Sequence, residues 1–241
     1  MVTIHEAQRG GTESATSRIQ RALRQSPMFD RASRESRDAV TDAASVEVVP
    51  GETRIVQQDT QAASLVVLGR GRARVERATP EGRSVPLGYR GSGDVIGESC
   101  LGSSRKHTES ALAMEEAEVV RVPLDLVLQL MSTDPTLGAS VVSLLLDRQR
   151  QVENRIESML FRNVEGRLVE FLLQAADRWG VPTPRGALIS APITHLEIAQ
   201  SIGSTRETVT LTLGALRREG LLDVAGRRFI VRDRDALATR M

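Results

Sequence analysis

The sequence predicts an α+β fold in which a roll of short strands precedes one long helix and a helical C-terminal region. Between Val46 and Pro123, short β-branched runs alternate in hydropathy and are broken by Gly, Pro and Asp, a pattern typical of short strands. From Leu137 to Leu160, apolar residues recur three, four or seven residues apart, which indicates one long helix. Two shorter periodic segments meet at Gly203, as expected for two helices joined by a tight turn.

The strand region follows a short predicted helix. Apolar residues between Ser17 and Phe29 predict this helix, whose apolar end would pack on the strands. The strand runs are VEVVPGETRIVQQD, SLVVLGRGRARVERATPEGRSVPLGY, GDVIGES and ALAMEEAEVVRVP. Strands of this length, separated by turns at this spacing, are typical of a β-roll or barrel.

The long helix is predicted to begin after Asp134-Pro135, because proline disfavours helix in the residue before it. Its apolar residues have the spacing of a coiled-coil seam, in which Gln149 fills one position. The residues of the predicted seam are Val141, Leu145, Val152, Ile156 and Met159. Two interpretations are open, a helix packed against its own domain and a parallel homodimer, and the homodimer is preferred.

Two short helices and a hairpin are predicted near the C-terminus. The apolar positions that the helix pair would bury are Ile198, Ala199, Ile202, Val209, Leu213 and Leu216. Ser204 is predicted to cap the second helix, and Glu207 three residues later would complete a capping box. A hairpin turn at Ala225-Gly226 and a final helix from about Arg234 follow. This order is that of a winged helix-turn-helix.

The first turn of the second helix carries the residues that suggest a function. In a helix-turn-helix this turn enters the major groove of DNA. The guanidinium of Arg206 matches O6 and N7 of guanine, and the carboxylate of Glu207 can accept a hydrogen bond from N4 of cytosine. The alternative is an amphipathic helix pair whose polar face is only solvated, and periodicity alone does not decide between the two.

Composition excludes several classes of protein. The chain has 241 residues, which suits two domains, and a net charge of +1, so any contact with nucleic acid must be local. A single cysteine, Cys100, excludes an internal disulfide and a cysteine-rich metal cluster. No apolar run reaches the roughly 20 residues of a membrane span, and the N-terminus lacks a signal-peptide core, so a cytoplasmic protein is expected. No Gly-rich phosphate loop, carboxylate pair or Ser-His-Asp order indicates an enzyme.

Three features in order resemble the cyclic-AMP receptor protein and fumarate-nitrate regulator (CRP/FNR) family of bacterial transcription factors. They are a roll containing GDVIGES, a long helix, and the segment ITHLEIAQSIGSTRETVTLTLGALRREGLL, of which EIAQSIGSTRETV is most specific. The resemblance implies a homodimer on an inverted repeat of double-stranded DNA, with RNA polymerase as a candidate partner. The predicted parts are a disordered tail at 1–16, a cyclic-nucleotide-binding-like sensor roll at 17–135, a dimerisation helix at 136–160 and a winged helix-turn-helix at 161–241.

The resemblance assigns base reading to Arg206 and Glu207, which match two of the family's three base-reading residues. Leu211 stands where the cyclic-AMP receptor has a second arginine, so one guanine contact is expected to be lost. Leu211 or Thr210 is expected to touch a thymine methyl instead. The candidate contacts to the DNA backbone are Thr194, Ser204, Thr205 and Thr208. For Thr205 and Thr208, hydrogen bonds within the helix cap are an equal alternative.

The resemblance also points to an effector pocket that has lost part of its chemistry. In relatives that bind cyclic nucleotides, a loop begins with Gly-Glu and ends with Arg-Ser or Arg-Thr, and its arginine neutralises the phosphate. Gly97 and Glu98 match the start of this loop, but His107 and Thr108 stand at its end. A neutral imidazole is a poor substitute for a guanidinium, although Arg105 and Lys106 are near enough in sequence to supply the charge after a shift of the loop.

The long helix departs from the same pattern. Val152 stands where the cyclic-AMP receptor has the threonine that contacts adenine, and Glu153 replaces a neighbouring serine. These side chains cannot repeat the adenine hydrogen bonds. We therefore expect no cofactor and a regulator that does not require cyclic AMP. The alternative is a ligand-gated regulator of the same family that responds to a cyclic nucleotide, to haem or to a redox signal at Cys100.

Overall fold

The computed structural model describes residues 13–80, 82, 84–226 and 228–241. The chain forms two compact units. The first contains the residues up to Ala73 together with Arg90–Val141, and the second contains Arg74–Tyr89 together with Val142–Met241. Residues 74–89, which the sequence places in the predicted roll, therefore group with the C-terminal unit.

From residue 13 onward, three helices precede the first strand: α1 (Ala15–Gln25), α2 (Pro27–Asp30) and α3 (Arg34–Ala43). The side chains of Ser14 and Ser33 cap α1 and α3 by accepting a hydrogen bond from a first-turn amide. The predicted single N-terminal helix is present but divided: α1 ends at Gln25, and Met28 and Phe29 belong to α2, which Pro27 begins. The sequence pattern does not predict α3, because two of its three buried residues, Ser36 and Thr41, are polar.

The predicted tail at 1–16 extends too far. Its last two residues, Ala15 and Thr16, belong to α1, because Ser14 supplies the N-cap that allows the helix to begin at Ala15. Residues 1–12 lie outside the described residues.

Eight strands follow in the region of the predicted roll: β1 (Ser45–Val49), β2 (Arg54–Val56), β3 (Ser64–Arg70), β4 (Ala73–Ala78), β5 (Ser84–Arg90), β6 (Val95–Ile96), β7 (Ser110–Ala113) and β8 (Ala117–Pro123). In the first unit, β1, β8, β3 and β6 form an antiparallel sheet in that order, and β2 pairs with β7. Helix α1 packs on β3, whose residues Leu65–Leu68 are fully buried. The predicted α+β fold with an N-terminal β-roll is confirmed.

The predicted helix break at Asp134-Pro135 separates α4 (Leu124–Thr133) from α5 (Pro135–Phe161). The buried carboxylate of Asp134 receives five hydrogen bonds at 2.5 to 3.2 Å, from Ser33 N, Ser36 Oγ, Thr136 N, Thr136 Oγ1 and Leu137 N. These donors, with Thr136 and Ser36 foremost, hold the pKa of Asp134 well below its usual range. The residue therefore begins α5 and ties it to α3.

We expect the substitution Asp134→Asn to lower the Tm of the protein by a few degrees at pH 7. Asparagine keeps one acceptor oxygen but brings an NH2 group to a site where every neighbour is a donor. The carboxylate stabilises the fold above the unfolded-state pKa of about 4 and loses this effect as the pH falls further. The gap between wild type and variant, followed by thermal unfolding from neutral to acidic pH, should therefore shrink on acidification.

The matched control is Asp125→Asn, because the Asp125 side chain is 85% exposed and pairs only with Arg105 among the described residues. An exposed ion pair contributes little to stability. A pH-independent loss of Tm in Asp134→Asn, or an equal loss in the control, would contradict the role of the buried carboxylate.

The second unit contains the remaining elements: α6 (Val164–Trp179), β9 (Gly180–Thr183), β10 (Gly186–Ile189), α7 (His195–Ile202), α8 (Arg206–Arg218), β11 (Leu222–Ala225), β12 (Arg228–Val231) and α9 (Arg234–Ala238). The strands form a sheet in the order β11-β12-β10-β9. The hairpin at Ala225-Gly226 and the final helix are found where the sequence predicts them, whereas the β9–β10 hairpin is not predicted. All six apolar positions predicted for the helix pair are at most 6% exposed.

The exposed apolar face of α5 differs from the predicted seam at one position. Leu145, Val152, Ile156 and Met159 are 42 to 57% exposed, but Val141 is 2% exposed and belongs to the core of its own unit. Val142, 56% exposed, takes its place. Counting from Val142, the spacing alternates three and four residues through Gln149 to Met159, which is the pattern a coiled coil requires. A seam that began at Val141 would need two consecutive steps of four residues, to Leu145 and then to Gln149, and its residues would not share one face of the helix.

Candidate nucleic-acid interface

The helix pair is built around a turn that requires glycine. Gly203 ends α7 in the left-handed region with φ 63°, where its amide donates to Ala199 O. The prediction that Ser204 caps the second helix is wrong by one residue: Thr205 is the N-cap of α8, and its side chain accepts from Thr208 N at 3.1 Å. Ser204 instead donates its amide to Ala199 O at 2.9 Å and completes the exit from α7.

A capping box is present, but at the start of α7 and not of α8. The Thr194 side chain accepts from Glu197 N at 3.2 Å, and the Glu197 carboxylate accepts from Thr194 N at 2.7 Å. Glu207, the predicted acid of a box in α8, is exposed in the first turn of that helix. Its carboxylate is therefore not committed to a capping box.

The predicted base-reading residues lie together at the N-terminal end of α8. Arg206 is the first residue of the helix, and Arg206, Glu207, Thr210 and Leu211 are all exposed. Leu211 is 74% exposed, which is unusual for a large apolar side chain in a helix that buries Val209, Leu213 and Leu216. In the described part of the chain, the Arg206 guanidinium has no hydrogen-bond or ion-pair partner.

Arginines from distant parts of the second unit hold α7 at both ends. Arg74 of β4 forms an ion pair with Glu197 in the first turn. At the other end, Arg155 donates to Ser201 O at 2.9 Å, and Arg167 donates to Ile202 O at 2.8 Å. Cations at the last carbonyls of a helix also complement its dipole. Sequence reasoning missed all three arginines, because no local pattern links them to α7.

The predicted backbone-contact residues already make local hydrogen bonds. The hydroxyls of Thr205 and Thr208 lie 2.9 Å apart in the cap of α8, and Thr194 caps α7. The cap interpretation of Thr205 and Thr208 therefore holds, while contact with DNA phosphate stays a prediction for Thr194, Ser204, Thr205 and Thr208.

His195 lies beside the base-reading residues. Its Nδ1 is 2.9 Å from Thr210 Oγ1, and its ring stacks on Phe229 of β12 with ring centroids 6.0 Å apart. The sequence gives no sign of this contact, because fifteen residues separate His195 from Thr210.

In the first unit, the histidine at the end of the predicted effector loop packs against the glycine at its start. Gly97 is left-handed with φ 80°, and a Cβ built on it would lie 2.7 Å from Cε1 and 2.8 Å from Nδ1 of His107. His107 is 6% exposed, and its Nδ1 has no hydrogen-bond partner among the described residues. Burial lowers the pKa of His107, so the ring is neutral at pH 7. An uncharged ring therefore lies directly against the Gly97 backbone.

The other predicted pocket residues of this unit bind side chains outside the predicted set. Arg90 pairs with Glu98 at 3.4 Å. Arg105 donates to Asp125 at 2.7 Å, so its guanidinium does not supply the missing charge to this loop. Thr108 Oγ1 donates to the buried Glu109, which also accepts from Ser99 Oγ at 3.0 Å. Gly97, Glu98, His107 and Thr108 are thus brought together, with a second carboxylate beside them.

The remaining two pocket residues belong to α5 in the second unit. Val152 is 57% exposed. Glu153 accepts from Gln149 Nε2 at 2.7 Å on the same helix.

Cys100, the candidate redox residue, is fully buried. Burial, with the carboxylates of Glu109 and Glu98 adding to it, raises the pKa of the thiol to about 11. Because the thiolate is the reactive form, this thiol is poorly suited to redox sensing. Among the residues with described positions, no group of three or more His, Cys, Asp and Glu side chains is arranged to hold a metal ion. No described helix has both the length and the apolar character needed to cross a bilayer.

Both halves of the chain match known families. Residues 166–240 match the Crp-like helix-turn-helix domain, and residues 46–134 match the cyclic nucleotide-binding domain. These ranges contain the helix pair described above and, apart from Ser45 of β1, the strands of the roll.

Known proteins with similar sequences are regulators. The chain is 30% identical to the global nitrogen regulator of Synechocystis. The alignment spans 171 residues and covers 70% of this chain and 76% of that protein. The chain is also 28% identical over 176 residues to the CRP-like cAMP-activated global transcriptional regulator of Mycobacterium tuberculosis, with coverage of 73% and 79%.

A solved structure supports the same assignment. A CRP-family transcriptional regulator from Thermus thermophilus superposes with a TM-score of 0.68 at 27% identity, over 80% of this chain and 95% of the other. The chain therefore belongs to the CRP/FNR family and is a transcriptional regulator that binds DNA through its helix-turn-helix.

Proposed function

We propose that the protein acts as a homodimer that binds an inverted-repeat operator through Arg206 and Glu207, and that it does so without a cyclic nucleotide. The observation that carries the DNA-binding mode is the exposed Arg206 at the first position of α8, whose guanidinium has no partner among the described residues and whose helix buries its other face. A guanidinium held at the start of a recognition helix is suited to bidentate contact with guanine. Thr194, Ser204, Thr205 and Thr208 would then position the helix on the phosphates.

The exposed seam of α5 supports the homodimer. Val142, Leu145, Val152, Ile156 and Met159 present an apolar face that is interrupted at Gln149. An exposed apolar stripe of coiled-coil spacing is stabilised when a second copy covers it. The twofold axis of such a dimer would relate two α8 helices, which is why the operator should be an inverted repeat.

The contact between His107 and Gly97 supports independence from cyclic nucleotides. An anion bound at the Gly97 turn would meet a neutral imidazole at van der Waals distance and the carboxylates of Glu98 and Glu109 close by. The guanidinium of Arg105 is bonded to Asp125. The loop therefore has no room for a phosphate at the Gly97 turn in this conformation, and the guanidiniums of Arg90 and Arg105 are already paired with carboxylates. On this proposal, RNA polymerase is a partner and abundance or modification sets activity.

A ligand-gated regulator is the second candidate, because the relative from Mycobacterium tuberculosis is described as cAMP-activated. The discriminating experiment is fluorescence anisotropy of the purified, ligand-stripped protein on inverted repeats selected from a random pool, at fixed salt, with and without cyclic AMP. Tight binding that cyclic AMP leaves unchanged supports the proposal. Weak binding that cyclic AMP strengthens would support the second candidate.

We expect saturating cyclic AMP or cyclic GMP to leave the Tm unchanged. A ligand that binds only the native state at 100 times its Kd would add about 2.7 kcal/mol of stability, which a thermal shift assay detects easily. The selected operator duplex is the positive control, since its binding should raise the Tm of the second unit. A rise of several degrees with either nucleotide would contradict the inference drawn from His107.

A further inference from the structure

The hydroxyl of Thr210 makes two hydrogen bonds within the protein. It donates to the carbonyl oxygen of Arg206 at 2.8 Å and lies 2.9 Å from Nδ1 of His195. A hydroxyl has one hydrogen, and a carbonyl oxygen can only accept. Both bonds exist together only if His195 carries a hydrogen on Nδ1 and donates it to Thr210. The histidine contact therefore requires a defined protonation of the ring.

These two bonds select one rotamer of Thr210. In a helix, threonine divides between two χ1 rotamers, because its Oγ1 can bond the carbonyl of the preceding turn. The bond from His195 favours the rotamer in which Oγ1 is turned back toward the Arg206 carbonyl. Thr210 is exposed, and because its hydroxyl hydrogen and one lone pair are already used, its methyl group is the part of the side chain suited to an apolar contact.

His195 is itself held in place by other contacts. Its ring stacks on Phe229 at an interplanar angle of 25°, and Phe229 is only 4% exposed in β12. The preceding residue, Thr194, is the N-cap of α7 and is fixed by the capping box with Glu197. The imidazole thus connects the start of α7, the recognition helix α8 and a strand of the wing hairpin.

The residue next to Thr210 is the apolar Leu211. Leu211 is 74% exposed, so a methyl group and an isobutyl group stand beside Arg206 and Glu207. In the major groove the C5-methyl of thymine is the apolar group that distinguishes one base from the others. We propose that Thr210 recognises a thymine through its methyl group, and that His195 is the positioning residue that holds Thr210 in this orientation. This inference rests on the proposed function.

The test removes a methyl group from the DNA and, in a separate variant, from residue 210 of the protein. Each thymine of the selected operator is replaced in turn by uracil, which lacks only the C5-methyl. For the wild-type protein we expect one position per half-site at which uracil weakens binding about fourfold, the effect of one buried methyl group. Thr210→Ser keeps the hydroxyl and should lose this uracil effect. Thr210→Val keeps a methyl and should retain it.

His195 is tested by the same readout. His195→Ala should reduce the uracil effect while leaving the affinity for non-operator DNA and the Tm close to the wild-type values. His195→Asn, whose amide nitrogen can take the place of Nδ1, should restore the effect. A residue needed only for folding would lower the Tm and all DNA binding together, and the conservative variant would not restore thymine discrimination.

The outcomes separate this inference from the proposed function. The proposed function would be overturned if the wild-type protein bound inverted repeats no more tightly than other DNA. It would also be overturned if the Arg206→Ala variant kept the wild-type preference for the operator. Operator binding that depends on Arg206, but with no uracil-sensitive position or with a uracil effect that survives in Thr210→Ser, would overturn the inference alone. A uracil effect kept by Thr210→Ser and lost by Thr210→Val would show that the hydroxyl does the reading.

Discussion

Replacing Arg206 by alanine is expected to weaken binding to the selected operator by about 1–3 kcal/mol per half-site, with a much smaller effect on non-operator DNA. A bidentate contact from a guanidinium to guanine is specific to one base, whereas contacts to phosphate strengthen binding to every sequence. Because the Arg206 guanidinium has no partner in the described part of the chain, its removal should leave the Tm unchanged.

The matched control is Arg218→Ala, which removes the same charge from the last turn of the same helix. Arg218 is exposed and lies three turns from the end that enters the groove. We expect its removal to lower the affinity for operator and non-operator DNA by similar, small factors. Anisotropy titrations of both variants at one salt concentration, on operator and on scrambled duplex, measure the difference.

Two results would contradict this docking of α8. One is an Arg206→Ala variant that binds the operator as tightly as wild type does. The other is an equal loss on operator and scrambled duplexes, which would make Arg206 a phosphate contact without base specificity.

The elements that sequence predicts well are those specified by residues close together along the chain. The strand runs, the helix break at Asp134-Pro135 and the buried face of the helix pair follow from alternation, from proline geometry and from helical spacing. The residue at which a helix begins is harder to predict, because Ser204 and Thr205 are both good N-cap residues. In the structure, the left-handed Gly203 is followed by one connecting residue, Ser204, so Thr205 is the N-cap of α8. Val141 and Val142 are the same residue type at adjacent positions, so the sequence does not show that the core buries Val141 and leaves Val142 exposed.

The features that sequence could not predict depend on contacts between distant residues. The ion pair of Arg74 with Glu197, the bond from Arg155 to Ser201 O and the pair His195 with Thr210 join residues from 15 to 123 positions apart. The position of His107 could be aligned from sequence, but its packing against Gly97 could not. The candidate site was therefore predicted as a set of residues, while the interactions that orient them required coordinates.

Replacing Val152 by aspartate is expected to separate the proposed dimer into monomers. In a parallel coiled coil each seam residue meets its own symmetry mate, so the substitution removes two buried valines and places two carboxylates opposite each other. Full burial of a valine contributes about 1.5–3 kcal/mol, and a dimer can cover only the exposed 57% of each Val152. The lost burial in both copies therefore weakens the dimer by at least about tenfold, and the two facing carboxylates weaken it further. Because Val152 is 57% exposed in the single chain, the fold of each protomer should survive.

Asn154→Asp is the matched control, since it adds one carboxylate to the same helix roughly 160° around the axis from Val152. Asn154 is exposed. Sedimentation equilibrium should show a dimer for wild type and for this control, and a monomer for Val152→Asp at the same concentration. A dimer in all three would place the interface elsewhere.

Loss of the dimer should also weaken binding to the full operator, because the two half-sites are bound by linked subunits. In a dimer, binding of one α8 places the second at a high effective concentration over the other half-site, whereas two monomers must bind independently. Val152→Asp should therefore lose most of its operator affinity but match wild type on a duplex that carries a single half-site. If the two proteins differ equally on both duplexes, the substitution has damaged the helix-turn-helix itself. If Val152→Asp is monomeric and still binds the full operator like wild type, the protein does not need the twofold axis to recognise DNA.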